Sequence, residues 1–133
     1  MGGGNVTERI RFTYQNTLTN AFYQLPKFLF DDEFSSLNNN ARVLYTLLYD
    51  RIKTCRENGW YDERGELYIY FKRKEMQSLL RLSEKTVTKI IKDLEISRLL
   101  EDKQQGYTKP NKIYLLTVDD GTKEKAQKAL IIQ

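Results

Sequence analysis

Apolar and polar positions separate most cleanly between residues 83 and 94. Val87, Ile90, Ile91 and Leu94 recur at i, i+3, i+4 and i+7, the spacing of one apolar helical stripe. Lys85, Thr88, Lys89 and Lys92 recur at the same spacing on the opposite side, so the second stripe is polar and basic. Ser83 stands where an N-cap hydroxyl would accept a free backbone N–H of the first turn. A longer stripe of Ala41, Leu44, Leu48 and Ile52, flanked by Tyr45 and Leu47, predicts a helix over 41–56. Asn38 to Asn40 supply its cap, and Gly59 ends it in the role that tolerates a left-handed backbone. Cys55, in its last turn, reads as a small apolar packing residue.

A period of two appears elsewhere. Ile10, Phe12 and Tyr14 alternate with Arg9, Arg11 and Thr13, the pattern of a half-buried strand. Gln15 to Thr17 reads as a turn and residues 21–25 as a returning strand. The resulting hairpin arm is marginal alone and must pack on the domain or on a second copy of the chain. Pro26 fits the first turn of a short helical segment reaching Phe30. Residues 60–71 read as a tight turn feeding an aromatic, β-branched strand, with Trp60 as a core anchor. A short helix follows, opening at Lys72 and ending near Arg81. Residues 97–101 and 113–118 are expected as two strands joined by a polar turn that contains Gly106 and Pro110. Asp119 and Asp120 can cap a last helix over 122–132.

Taken in order, these elements make an α+β chain with a winged helix-turn-helix plan, an N-terminal β-hairpin arm and a C-terminal helix. The expected division is a tail over 1–9, a winged-helix DNA-binding domain over 10–118 with its arm at 10–34, and a helix or linker over 119–133. That last pattern stops at Gln133 without a terminating signal, which reads as one part of a longer protein.

Charge narrows the function. The chain has 133 residues and a formal net charge of only +4, but the charge is not spread evenly. Residues 72–92 hold Lys72, Arg73, Lys74, Arg81, Lys85, Lys89 and Lys92 against Glu75 and Glu84, and residues 103–112 add Lys103, Lys109 and Lys112 with no acid. The remainder is net acidic. Two basic segments in an otherwise acidic chain are the footprint of phosphate contact. Lys72, Arg73 and Lys74 also oppose the dipole at a helix N-terminus, so phosphate binding explains them better than helix stabilisation does.

Other chemistry is thinly represented. With no histidine, neither a Ser-His-Asp nor a Cys-His constellation is available, and His-based metal sites are excluded. Gly121-Thr122-Lys123 lacks the rest of a phosphate-cradling loop. No catalytic residue, metal or cofactor is expected. One cysteine rules out an internal disulfide and suits a reducing cytoplasm. No apolar run is long enough to cross a membrane, and Met1 to Gly4 leads into polar residues rather than the apolar centre of a signal peptide.

Three blocks carry a family resemblance: 22–30 (Phe22-Tyr23-Gln24-Leu25-Pro26-Lys27-Phe28-Leu29-Phe30), 58–65 (Asn58-Gly59-Trp60-Tyr61-Asp62-Glu63-Arg64-Gly65) and 82–87 (Leu82-Ser83-Glu84-Lys85-Thr86-Val87). Lys109-Pro110-Asn111-Lys112-Ile113-Tyr114-Leu115 matches as well. Over residues 12–118 the sequence resembles the N-terminal domain of the replication initiator protein A family, from theta-replicating plasmids of Gram-positive bacteria. The resemblance implies a protein that binds repeated sites, iterons, in a plasmid origin, usually as a dimer, to start and control replication. It implies host replication proteins as partners of a separate C-terminal domain. Arg81 departs from the glycine that winged helices often have in this turn.

In such a fold the helix after Ser83 enters the major groove of duplex DNA, and the wing reaches phosphate or minor groove. Glu84, Lys85, Thr86, Thr88 and Lys89 are then expected near base edges. Lys72, Arg73, Lys74, Arg81, Ser83 and Lys92 are expected to meet phosphates. Gln105, Tyr107, Thr108, Lys109 and Lys112 are the wing candidates. Two other functions fit the same elements: a transcriptional regulator, and a winged helix that offers its basic face to an acidic protein.

Overall fold

The local signals for the long helix act as the sequence suggests. The Asn38 side-chain oxygen accepts from the Ala41 N–H at 2.8 Å, and helix α1 runs Asn39–Asn58. It stops where Gly59 takes φ 72°, and the Gly59 N–H turns back onto the Arg56 and Cys55 carbonyls. The computed structural model describes residues 7–18, 22–106 and 111–119. Beyond α1 it contains α2 (Arg73–Leu80), α3 (Glu84–Ile96), β1 (Leu100–Lys103) and β2 (Lys112–Leu115), with 3-10 turns at Lys27–Phe30 and Asp32–Phe34 before α1.

One core joins these elements. Ala41, Leu44 and Leu48 of α1 are fully buried, with Tyr45 and Leu47 beside them and Ile52 half-buried. Val87, Ile90, Ile91 and Leu94 of α3 pack into the same cluster, as do Met76 of α2 and Leu99, Leu100 and Ile113 of the strands. Cys55 is buried there too, and burial pushes its thiol pKa up, which suits packing rather than reactivity. The first 3-10 segment is pinned by Arg42, which donates to the Leu29 carbonyl at 2.9 Å and the Phe34 carbonyl at 3.2 Å while stacking 4.8 Å from the Phe30 ring centre. This guanidinium explains why a short Phe-Leu-Phe segment holds one path.

The wing is an antiparallel pair with Leu100 opposite Leu115 and Lys103 opposite Lys112. The strand expected before α2 is shorter than its composition suggested. Only Ile69 joins the wing, exchanging two 2.9 Å hydrogen bonds with Ile113. Tyr68 and Tyr70 point the other way, and after Phe71 the chain turns into α2. Asp62 organises the preceding turn: its carboxylate accepts from the Arg64 and Glu66 amides and from the Tyr114 hydroxyl, each at 2.9 Å.

The wing strands lie at 100–103 and 112–115 rather than at the expected 97–101 and 113–118, because the chain after α3 first turns at Ser97 and Arg98, the latter at φ 60°. Two further expectations fail. Trp60 is 54% exposed rather than a core anchor. The buried stripe of α1 runs 41, 44, 48, 52, 55 and arrives next at Gly59, so Trp60 leaves the helix beyond that stripe. The expected half-buried strand over 9–14 is also absent, since Ile10, Phe12 and Tyr14 are 74, 72 and 100% exposed. Thr13 and Asn16 close only a tight turn. Alternation signals a face that wants a partner, and within one chain this face has none among the described residues. The returning strand expected over 21–25 is not formed at 22–25, where the backbone makes no strand pairing among the described residues; Ala21 and the helix expected over 122–132 lie outside them.

Acid should loosen this fold in a defined way. Hydrogen bonds from the Glu66 amide, the Tyr114 hydroxyl and the Arg64 amide hold the Asp62 carboxyl below the usual carboxylate range, and the Arg51 guanidinium does the same for Glu75 at 2.8 Å. A carboxyl whose folded pKa is depressed adds stability above its unfolded value, and that stability is lost as pH falls through the depressed one. The thermal midpoint should therefore decline below about pH 4. Asp62→Asn should flatten part of that decline; circular dichroism melts across the acid range would expose an unchanged slope.

Candidate nucleic-acid interface

The helix start that carries the basic stripe is built by its own cap. The Ser83 Oγ accepts from the Thr86 N–H at 3.2 Å, and its hydroxyl donates to the Thr86 Oγ1 at 3.0 Å. Thr86 is accordingly half-buried and engaged in the cap. Glu84 sits in the first turn, where a negative charge complements the helix dipole. With Val87, Ile90, Ile91 and Leu94 committed to the core, Lys85, Thr88, Lys89 and Lys92 are left on the exposed side. The Lys89 ammonium lies 3.1 Å from the Asp93 carboxylate one turn on, a surface pair that can exchange for a stronger partner.

The turn into this helix needs a left-handed residue, and Arg81 supplies it at φ 55°. Its N–H and that of Leu82 both return to the Gln77 carbonyl, closing α2. A glycine would adopt this conformation more cheaply, since an L-residue there costs roughly 1–2 kcal/mol. The side chain kept at that cost is exposed and basic. Lys72 and Lys74 are exposed at the other end of α2, and Arg51 ties that helix to α1 through Glu75 and the Phe71 ring.

Arg73 is placed differently from its neighbours. Its guanidinium donates to the Thr88 Oγ1 at 2.7 Å and lies 3.6 Å from the Asp102 carboxylate on β1. It therefore has a partner inside the fold, which its position at a helix N-terminus did not suggest.

On the wing, Lys112 is half-buried with its ammonium 4.4 Å from the Tyr68 ring centre, and Gln105 is half-buried near the tip. Tyr107, Thr108 and Lys109 lie outside the described residues. Lys103, absent from the sequence-derived candidates, belongs with them by geometry. It stands directly opposite Lys112 in the ladder, and like charges so placed repel. Only the strand register reveals this pair, and no local pattern points to it.

A three-helix core, a capped helix with a cationic outer face and a two-stranded wing beside it define a winged helix-turn-helix DNA-binding domain. Residues 21–128 match the family of the replication initiator protein A (RepA) N-terminus, and the chain belongs to that family. A "41 kDa protein" of Lactobacillus helveticus is 35% identical over 112 residues, covering 77% of this chain; the chain spans about a third, 32%, of that relative's length. Among solved structures, one described as the N-terminal domain of a DNA binding protein has a TM-score of 0.68 at 32% identity, covering 92% of this chain and 95% of that one. A Rep–DNA complex is similar at a TM-score of 0.67 and 32% identity, covering 90% and 95% of the two chains. The structure of an initiator described as MDR follows at 0.63 and 31%, covering 90% and 98%.

Proposed function

We propose that this domain binds repeated duplex sites in a plasmid origin, as a homodimer, and thereby starts and controls plasmid replication. The observation that carries this reading is the exposed Lys85-Thr88-Lys89-Lys92 face of a capped helix whose opposite side is fixed in the core. That helix lies in the major groove, with Lys85 and Lys89 nearest base edges and Glu84 able to accept from a cytosine amine. Thr86 and Ser83 hold the helix start at the backbone. Lys72, Lys74, Arg81 and Lys92 meet phosphates, which position the domain without reading sequence. Lys103 and Lys112 bring the wing to the adjoining backbone, and Gln105, Tyr107, Thr108 and Lys109 remain its further candidate contacts. The domain acts by binding, and no residue is given a catalytic role.

The arm supplies the dimer. Ile10, Phe12, Tyr14 and Leu18 are all at least 70% exposed, an apolar face that pairing with a second copy would cover. The segment that follows it, at Gln24 and Leu25, lines an apolar groove of about 490 Å³ with Phe28, Tyr49 and Ile52. Removing residues 1–25 should yield a monomer by sedimentation; a dimer that persists would place the interface elsewhere. Host replication proteins are partners of a further domain of the longer protein, and the setting is cytoplasmic. Among the described residues, no helix is long and apolar enough to cross a membrane.

Footprinting this domain over its plasmid's replication origin tests the reading directly. Regularly spaced protected repeats are expected. Protection confined to an operator elsewhere, or none above random DNA, would overturn it.

A further inference from the structure

The wing strand β1 carries an unusual residue on its inward side. Leu100 faces the core, Glu101 and Lys103 face solvent, and Asp102 follows Leu100 inward with only 12% of its side chain exposed. One carboxylate oxygen lies 3.6 Å from an Arg73 nitrogen, and the other is buried without a hydrogen-bond partner. A carboxylate held this way is costly unless a cation stays beside it. Among the described residues the ion pair it makes is with Arg73.

The same guanidinium reaches α3. Its other terminal nitrogen donates to the Thr88 hydroxyl at 2.7 Å, in the middle of the basic face. Arg73 thus bridges three elements that are far apart in sequence: the start of α2, the outer face of α3 and the base of the wing. A planar fork can serve Thr88 and Asp102 together, whereas the point charge of a lysine cannot. Bonding to the cation also takes a Thr88 lone pair, which makes that hydroxyl a better donor toward the groove.

We propose that Arg73 is a positioning residue for DNA recognition rather than a phosphate ligand: through Thr88 and Asp102 it sets the recognition helix against the wing before DNA arrives. This inference rests on the reading of α3 as the groove-reading helix. A phosphate that captured Arg73 would strand the buried Asp102 charge, so the guanidinium stays with its partner when DNA binds.

The two roles give opposite signs on substitution. If Arg73 met phosphate, Asp102→Asn would release it and tighten binding, Arg73→Lys would keep its charge and most of the affinity, and Arg73→Gln would lower the salt slope by about 0.9. As a positioning residue it predicts weaker binding for both Asp102→Asn and Arg73→Lys, by roughly tenfold, with the double variant no worse than the poorer single. The salt slope of Arg73→Gln stays at the wild-type value.

The experiment measures affinity and salt dependence of the whole chain for a duplex that it selects from a random-sequence pool, and for a random duplex of equal length. Thermal unfolding corrects each value to the folded fraction. Discrimination between the duplexes should fall in Asp102→Asn although that variant melts no lower than wild type, since it loses a buried charge. Tighter binding by Asp102→Asn, a reduced salt slope in Arg73→Gln, or lost stability with unchanged discrimination would each overturn the proposal. Lys85→Ala runs alongside. If it leaves the selected duplex bound as tightly as before, the groove-reading assignment itself fails; if it weakens binding while the Arg73 variants behave as phosphate ligands, only the bridge fails.

Discussion

Replacing Lys85, Thr86 and Lys89 together by alanine is expected to abolish discrimination between a selected site and random DNA while leaving the fold intact. Side chains that read base edges each contribute about 1–3 kcal/mol of discrimination. Losing the two readers Lys85 and Lys89, with the Thr86 hydroxyl gone from the helix start that aims them, takes specific binding most of the way to the non-specific level, a gap of roughly 4–10 kcal/mol. The backbone arm of the helix cap survives, because the Ser83 Oγ accepts from the residue 86 amide whatever its side chain. Lys89→Ala has a second consequence, since it uncovers the Asp93 carboxylate that the ammonium approaches at 3.1 Å. That uncovered charge repels phosphate, so Lys89→Ala combined with Asp93→Asn isolates the loss of base reading. Lys74→Ala is the contrasting case: it should weaken all sequences alike and reduce the salt slope by about one. Retained discrimination in the triple variant, measured by competition between the two duplexes, would remove α3 from the groove.

Ile90→Ala should act through the opposite face of the same helix. Ile90 is fully buried in the cluster that joins α3 to α1 and α2. Truncating such a side chain removes transfer free energy and leaves a cavity, for about 2–5 kcal/mol. Against a total stability of roughly 5–15 kcal/mol, that is a large fraction. Denaturant titration should show a lower midpoint with an unchanged slope, and affinity per folded molecule should stay near wild type. A loss under 1 kcal/mol would mean that the site collapses around the smaller side chain. The two predictions together divide α3 into a face that reads and a face that holds.

What could be read from the chain in advance was local. Ser83, Asn38 and Gly59 act within three or four residues of themselves, so their caps were visible in sequence. The Val87-Ile90-Ile91-Leu94 stripe is likewise a property of one helix. The misplacements come from contacts between distant segments. Trp60 looked like a core residue by type, but its fate was decided by where the α1 stripe ends. Ile10, Phe12 and Tyr14 alternate as a strand should, yet alternation does not say which chain provides the other strand. Arg73 read as a phosphate ligand because its partner, Asp102, is 29 positions away and lies beyond the strand expected over 97–101. Lys103 counted in the basic segment, but its place opposite Lys112 appeared only with the strand register. Arg42 showed no signal for its hold on the 3-10 turns, because the acceptors there are the backbone carbonyls of Leu29 and Phe34.

The Tyr45 hydroxyl donates to the Leu116 carbonyl at 2.6 Å, and burial raises its pKa to about 12. This bond sits just past the end of β2, where the chain leaves the wing, and its other end is the rigid first helix. A pull on the residues that follow is therefore shared at Leu116 between α1 and the Leu99 carbonyl, which accepts the Leu116 N–H at 2.9 Å, before it reaches the paired strands. Tyr45 works as a mechanical anchor: load applied downstream is grounded in the core, and the register that places Lys103 and Lys112 is shielded from it.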